Sequence, residues 1–136
     1  MPGAIFRHGY TYSGHATACA AAMANLDIIE REDLVGRVRV LEPVLASAMG
    51  RLAGAPLVGG IRTVGLTGAV QLSDEALATN PASIDAVVAA ARRHGVLTRA
   101  VRGGALQVSP AFVITEAEIG TMVDGFEAAL RDVAAG

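Results

Sequence analysis

The sequence contains no lysine: all 11 of the residues counted as Lys or Arg are arginine. Without that side-chain amine, the chain cannot by itself hold a carbonyl compound as a lysine Schiff base. Tryptophan is also absent, and there are only two tyrosines and three phenylalanines. That leaves core building to Ala, Val and Leu, which suits close-packed helices on a small sheet rather than a ring-lined cavity. The single cysteine, Cys19, excludes an internal disulfide framework and predicts a reducing, cytoplasmic setting. With one cysteine and three scattered histidines, no metal-ligand spacing is present. A formal charge of −2 gives no basic footprint for nucleic acid. No apolar run approaches the ~20 residues that would span a bilayer, and the N-terminus lacks the layout of a secretory signal. No membrane partner is therefore expected.

A chain of 136 residues predicts one domain, able to bury roughly two-thirds of its unfolded surface. Helical spacing runs from about His15 to Arg31, with Cys19, Met23, Leu26 and Ile29 on one alanine-rich face. Such a face implies a closely packed partner. From about Asp33 to Ala53 a second stripe, Leu34, Val38, Leu41, Leu45, Ala48 and Leu52, steps by threes and fours. Pro43 predicts a mild kink there, and Gly54 a stop. Leu57–Leu72 reads as two short strands, with Gly65 and Gly68 marking a bulge or a close backbone approach. Ser73–Asn80 reads as a polar connection.

Asn80-Pro81 predicts the start of a third helix, with Ile84, Val87, Val88 and Ala91 inward and Gly95 as its stop. Its last turn holds the one basic cluster, Arg92-Arg93-His94, where positive charge complements the helix dipole. Val96–Val101 and Ala105–Val108 flank Arg102-Gly103-Gly104 as a hairpin. Thr115-Glu116-Ala117-Glu118 is a capping box opening a last amphipathic helix, with Ile119, Met122, Val123, Phe126, Leu130 and Val133 inward. The order α-α-β-β-α-β-β-α predicts an α+β fold, helices packed on a small, mostly antiparallel sheet.

The stretch richest in chemistry is His8-Gly9-Tyr10-Thr11-Tyr12-Ser13-Gly14-His15, leading straight into the first helix. A glycine-punctuated loop at a helix N-terminus gathers free N–H groups and hydroxyls, and together they suit an anion such as a phosphate. The same residues also read as structure alone, with Thr11 and Ser13 capping the helix.

Three stretches resemble the C-terminal part of class III aminotransferases, the pyridoxal-phosphate enzymes of fold type I. They are Phe6–His15 running on to Asn25-Leu26; Leu57–Leu66; and Gly95–Arg99 with Leu106–Pro110 and Val113–Ile119. The resemblance implies the small domain of such an enzyme. Residues 1–14 would form an interface and phosphate-binding loop, and residues 15–136 the C-terminal small domain. It implies that Thr11 reaches across a homodimer (or higher homo-oligomer) interface to the partner's cofactor phosphate, aided by backbone N–H at Tyr10–Thr11. Tyr10 would line the substrate pocket, and it also reads as a packed surface aromatic. Arg99 matches the arginine with which members similar to ω-amino acid:pyruvate transaminases grip a substrate carboxylate, and Arg102 on the turn is the weaker rival. Arg99 also reads as an edge-strand side chain reaching water. Gln107 stands where ornithine- and 4-aminobutyrate-type members commonly have arginine, which argues against those substrates. Ala16 and Ala111 depart from the family's usual prolines.

The missing lysine implies that the segment holding the pyridoxal phosphate lies upstream of Met1 and that this chain alone is inactive. Two readings follow. One is a fragment of an aminotransferase that moves an amino group between an amine or ω-amino acid and an oxo acid such as pyruvate; aminomutase or decarboxylase chemistry on the same domain stays open. The other is a non-enzymatic, self-associating α+β module.

Overall fold

The computed structural model describes residues 9–136. The chain divides into two compact units, Met1–Asp33 and Leu34–Gly136.

In the first unit, a turn at residues 10–14 leads into helix α1, Ala16–Arg31. The run of alanines favours helix at little entropic cost. None of its residues is buried: Cys19, Met23 and Leu26 are all exposed.

The second unit begins with α2, Leu34–Gly50, which tightens into a 3-10 turn at Arg51–Gly54. The helix continues through Pro43 without a break. Of the predicted stripe, Leu34, Leu41 and Leu45 are buried on the helix and Leu52 in the 3-10 turn, Val38 and Ala48 are half-buried, and Met49 is buried in addition. Strands β1, Val58–Val64, and β2, Thr67–Leu72, form a hairpin whose two-residue turn has Gly65 at φ +53°. Only glycine adopts that conformation freely, and Glu42 Oε1 of α2 accepts the Gly65 N–H at 2.8 Å.

The ladder irregularity lies at Gly59, between Val58 and Gly60, and not at Gly65 or Gly68. A Cβ on Gly59 would stand 2.8 Å from Ser73 Cα. The backbones meet there because the Ser73 N–H donates to the Leu57 carbonyl at 2.8 Å. Gly68 is the close approach that was expected, with a Cβ there lying 3.1 Å from the Arg62 carbonyl oxygen.

Ser73–Asn80, read from sequence as a connection, contains helix α3, Asp74–Thr79. Ser73 Oγ caps it by accepting the Ala76 N–H, and Asp74 and Glu75 occupy its first turn. Helix α4 is Ser83–Arg93, opening two residues later than Pro81 suggests. Asn80 is therefore not its cap: Ala82 takes that position with no side-chain bond, and Asn80 instead closes the preceding turn, its Oδ1 accepting the Ala82 N–H and its carbonyl the Ser83 N–H. Strand β3 is only Ala100–Val101, and β4 is Ala105–Val108. The four strands lie in the order β1-β2-β4-β3, every pairing antiparallel. Helix α5, Glu116–Ala135, packs on α4 and α2, while α2 lies on β1 and α4 on β3 and β4. Val70, Leu72, Leu106 and Val108 of the sheet meet Leu45, Val87, Phe126 and Leu130 in one core. The α+β class and the element order hold, with the short α3 added.

Two helix ends show how local chemistry sets these boundaries. At the C-terminus of α4, the Val96 N–H bonds the Ala91 carbonyl and the Gly95 N–H the Arg92 carbonyl, with Gly95 at φ +79°. This is a Schellman closure, and it needs a left-handed residue. A Cβ at Gly95 would meet nothing within 4 Å, so Gly95→Ala tests backbone conformation alone. The loss should be about 1–2 kcal/mol. At Gly50, where φ is −57° and the space is equally open, the same change should add about 0.5–1 kcal/mol. Denaturant titration of both variants checks the pair, and equal signs would refute the conformational explanation.

At the N-terminus of α5, the amide and hydroxyl of Thr115 both donate to Glu118 Oε2 at 2.8 Å, and the Glu118 N–H returns a bond to Thr115 Oγ1. These bonds, the backbone one first, hold the Glu118 carboxyl below the usual carboxylate range. A carboxyl lowered by folding stabilises above its unfolded pKa, and that contribution is lost as pH falls through the lowered value. Glu118→Gln should therefore melt below the native chain at pH 7, and the gap should close below about pH 4. Melting curves recorded from pH 7 to pH 3 test this; a constant gap would contradict it.

Candidate functional site

Gly9–His15 is built around a hydroxyl-closed turn. The Tyr10 N–H donates to Ser13 Oγ at 3.1 Å, and the Ser13 N–H returns to the Tyr10 carbonyl at 3.0 Å. Gly14, at φ +79°, reverses the chain into the helix. The cap of α1 is His15, whose Nδ1 accepts the Ala18 N–H at 3.2 Å while its ring meets Tyr12 edge-on. Neither Thr11 nor Ser13 caps the helix, so the purely structural expectation for that pair does not hold. The Tyr10 N–H is already engaged by Ser13 and is not a spare donor. Thr11 sits exposed in the turn, and among the described residues neither its amide nor its hydroxyl makes a hydrogen bond. Tyr10 is 74% exposed. No carboxylate lies between Gly9 and His15 or in the first turn of α1.

The second unit has its own concave feature, a groove of about 400 Å3 where the β3–β4 hairpin meets α4 and α5. Arg92, Thr98, Arg99, Gln107 and Ser109 supply its polar lining, with Leu97 and Met122 among the apolar walls and no carboxylate among its lining residues. Arg99 Nε donates to Gln107 Oε1 at 2.6 Å. Arg102, on the hairpin turn, is not part of the lining. Nearby, His94 Nε2 bonds Asp132 Oδ2 at 2.9 Å, and this contact holds the Asp132 carboxyl below its usual range. With Arg93 also on Asp132, Arg92 is the member of the basic cluster that faces the groove.

Tyr10 and Thr11 thus share one turn in the first unit, and Arg99 belongs to the second. Sequence reasoning missed His15 as the cap and Gln107 as the partner of Arg99. The first had no strong signal, since histidine is not among the preferred caps. The second was available: a three-residue turn pairing Val101 with Ala105 and Ala100 with Leu106 sets position 99 opposite 107. Among the described residues no cluster of His, Cys, Asp or Glu could hold a metal ion, and no helix is long and apolar enough to cross a membrane.

The family model described as aminotransferase class III matches residues 1–130. An uncharacterized aminotransferase of Sinorhizobium fredii is 38% identical over 94% of this chain and 29% of its own length. Among solved structures, a thermostable omega transaminase 6-fold mutant from Pseudomonas jessenii is 36% identical, with a TM-score of 0.81, over 94% of this chain and 29% of that one. The PMP-bound form of an aminotransferase from Vibrio fluvialis is 29% identical, with a TM-score of 0.80, over 96% of this chain and 30% of that one. The chain therefore spans about 30% of the length of the proteins it matches. With the match running over nearly all of its length and the same α+β architecture beneath it, this chain belongs to the class III aminotransferase family.

Proposed function

We propose that the chain is the C-terminal part of a pyridoxal-phosphate-dependent aminotransferase that moves an amino group between an amine or ω-amino acid and an oxo acid such as pyruvate. Residues 1–14, of which 1–8 lie outside the described residues, serve as the interface and phosphate-binding segment and residues 15–136 as the small domain, in a cytoplasmic homodimer or higher homo-oligomer. The observation that carries this reading is Thr11: exposed, with amide and hydroxyl both unengaged, in a turn free of carboxylates. Those are the donors a phosphate takes, and the turn fits that end of the cofactor. The amine that would hold the other end is missing from a lysine-free chain, so it has to come from elsewhere in the assembly. When bound, pyridoxal phosphate supplies the electron sink for amino-group chemistry.

Within this division of labour, Thr11 binds the phosphate of the cofactor held by the neighbouring subunit, and Tyr10 borders the substrate. Arg99 orients the substrate by its carboxylate, for which a planar guanidinium fork is suited. The chain by itself is inactive for want of the lysine. The competing reading, a self-associating module, draws on the exposed Met23 and Leu26 of α1.

One comparison separates them. The chain alone and the product of its reading frame extended upstream of Met1 are each purified with pyridoxal phosphate. The visible absorbance of a lysine-linked cofactor is expected only in the extended product, together with transfer from an ω-amino acid to pyruvate. An extended product with neither property would refute the enzyme reading.

A further inference from the structure

The groove arginine is held by a neutral residue. Arg99 Nε donates to Gln107 Oε1 at 2.6 Å, and Gln107 Nε2 donates onward to Ser109 Oγ at 3.1 Å. The second bond orients the amide, aiming its oxygen at the arginine. The glutamine's backbone is secured as well: its N–H donates to the Arg99 carbonyl at 3.0 Å, and its carbonyl accepts the Thr98 hydroxyl at 2.7 Å.

We propose that Gln107 is the positioning residue for Arg99, holding the guanidinium by its Nε edge so that both Nη groups stay available to a small carboxylate with an apolar body. The inference rests on the reading of Arg99 as the substrate-carboxylate grip and adds what makes that grip serviceable. A carboxylate at position 107 would take the same N–H but would also neutralise the charge and compete for the fork. A carboxamide supplies one acceptor and no charge. Since no acid lines the groove, the positive charge of Arg99 remains for a ligand, and the accessible apolar side chains of Leu97, Pro110 and Met122 suit the remainder of one.

The 136-residue chain itself allows the test. In the 15N-labelled protein the Arg99 Nε–H signal is assigned by its disappearance in Arg99→Ala, and propionate is titrated against chloride at equal ionic strength. The native chain should show a saturable shift of that signal. Gln107→Glu should keep the signal but raise the propionate Kd at least about tenfold, the scale of one charged hydrogen bond lost to an internal competitor. Gln107→Leu should move the signal to the position of a free arginine and weaken binding by a smaller factor. Backbone amide spectra certify the fold of each variant, and Gln107→Leu is the decisive one, since a carboxylate at 107 would weaken propionate binding whatever the native amide does. If propionate binds the native chain and Gln107→Leu equally, yet not Arg99→Ala, the positioning role is wrong and the carboxylate grip stands. If the native chain responds no more than to chloride, both fall.

Discussion

Phe126→Ala is expected to lower the stability of the Leu34–Gly136 unit by about 3–5 kcal/mol. Phe126 lies on α5, is 1% exposed and belongs to the core shared by α2, α4, α5 and the sheet. Truncation removes the largest fully buried side chain among the described residues and leaves a void beside neighbours tied to separate elements. Partial collapse cannot fill it without moving a helix. In a unit of ordinary stability, about 5–15 kcal/mol, such a loss is a large share of the total. The measurement is urea unfolding, in which the midpoint should fall sharply with little change in slope. Phe126→Leu, which keeps most of the volume, should cost less than about 1.5 kcal/mol. A loss in the alanine variant no greater than that of the leucine variant would mean the core of α5 is not packed as described.

The second large effect concerns the proposed cofactor site. In the product extended upstream of Met1, Thr11→Ala should weaken pyridoxal phosphate binding by about 10- to 150-fold, the equivalent of one hydrogen bond to a charged group. Thr11→Ser, which keeps the hydroxyl, should recover most of it. Because His15 caps α1 and Ser13 closes the turn, removing the Thr11 hydroxyl disturbs neither, so the loss should leave the melting temperature of the cofactor-free protein unchanged. Equal cofactor affinity in the alanine and native proteins would remove Thr11 from the site.

Much of this structure was legible in the amino-acid order, for identifiable reasons. Long amphipathic helices repeat their signal: the stripe of α2 and the Ile119–Val123–Phe126–Leu130 face of α5 carry several turns of agreement, and the capping box marks where α5 begins. Helix α3 was hidden because it is six residues long and buries only Ala76, too little for a period to show. Its start was nonetheless written in Ser73-Asp74-Glu75, a cap followed by two acids. Glycine marked unusual backbone but not its kind: Gly65, read as a bulge or close approach, is in the hairpin turn. The irregular position is Gly59, where β1 passes close to Ser73, a contact between residues distant in sequence. Residues 96–99 look like strand and are not, since only Ala100 and Val101 gain a ladder from β4. At the candidate site, the residue types were readable at Tyr10, Thr11 and Arg99. What engages each hydroxyl and guanidinium was not, because that depends on register and rotamer.

The two outer strands of the sheet carry a consequence for how copies of this chain can meet. An outer strand with free backbone groups is a template onto which a second molecule can zip, the usual route to runaway aggregation. Here β3 offers two residues, and β1 is interrupted at Gly59 and carries the exposed cation Arg62. The rim at β3 is too short to extend, and the regular run of β1 is held to residues 60–64 with a charge at its middle. In a chain that is 52% apolar by composition, the short β3 and the Arg62 charge on β1 are the two features that work against fibre-like growth at these edges.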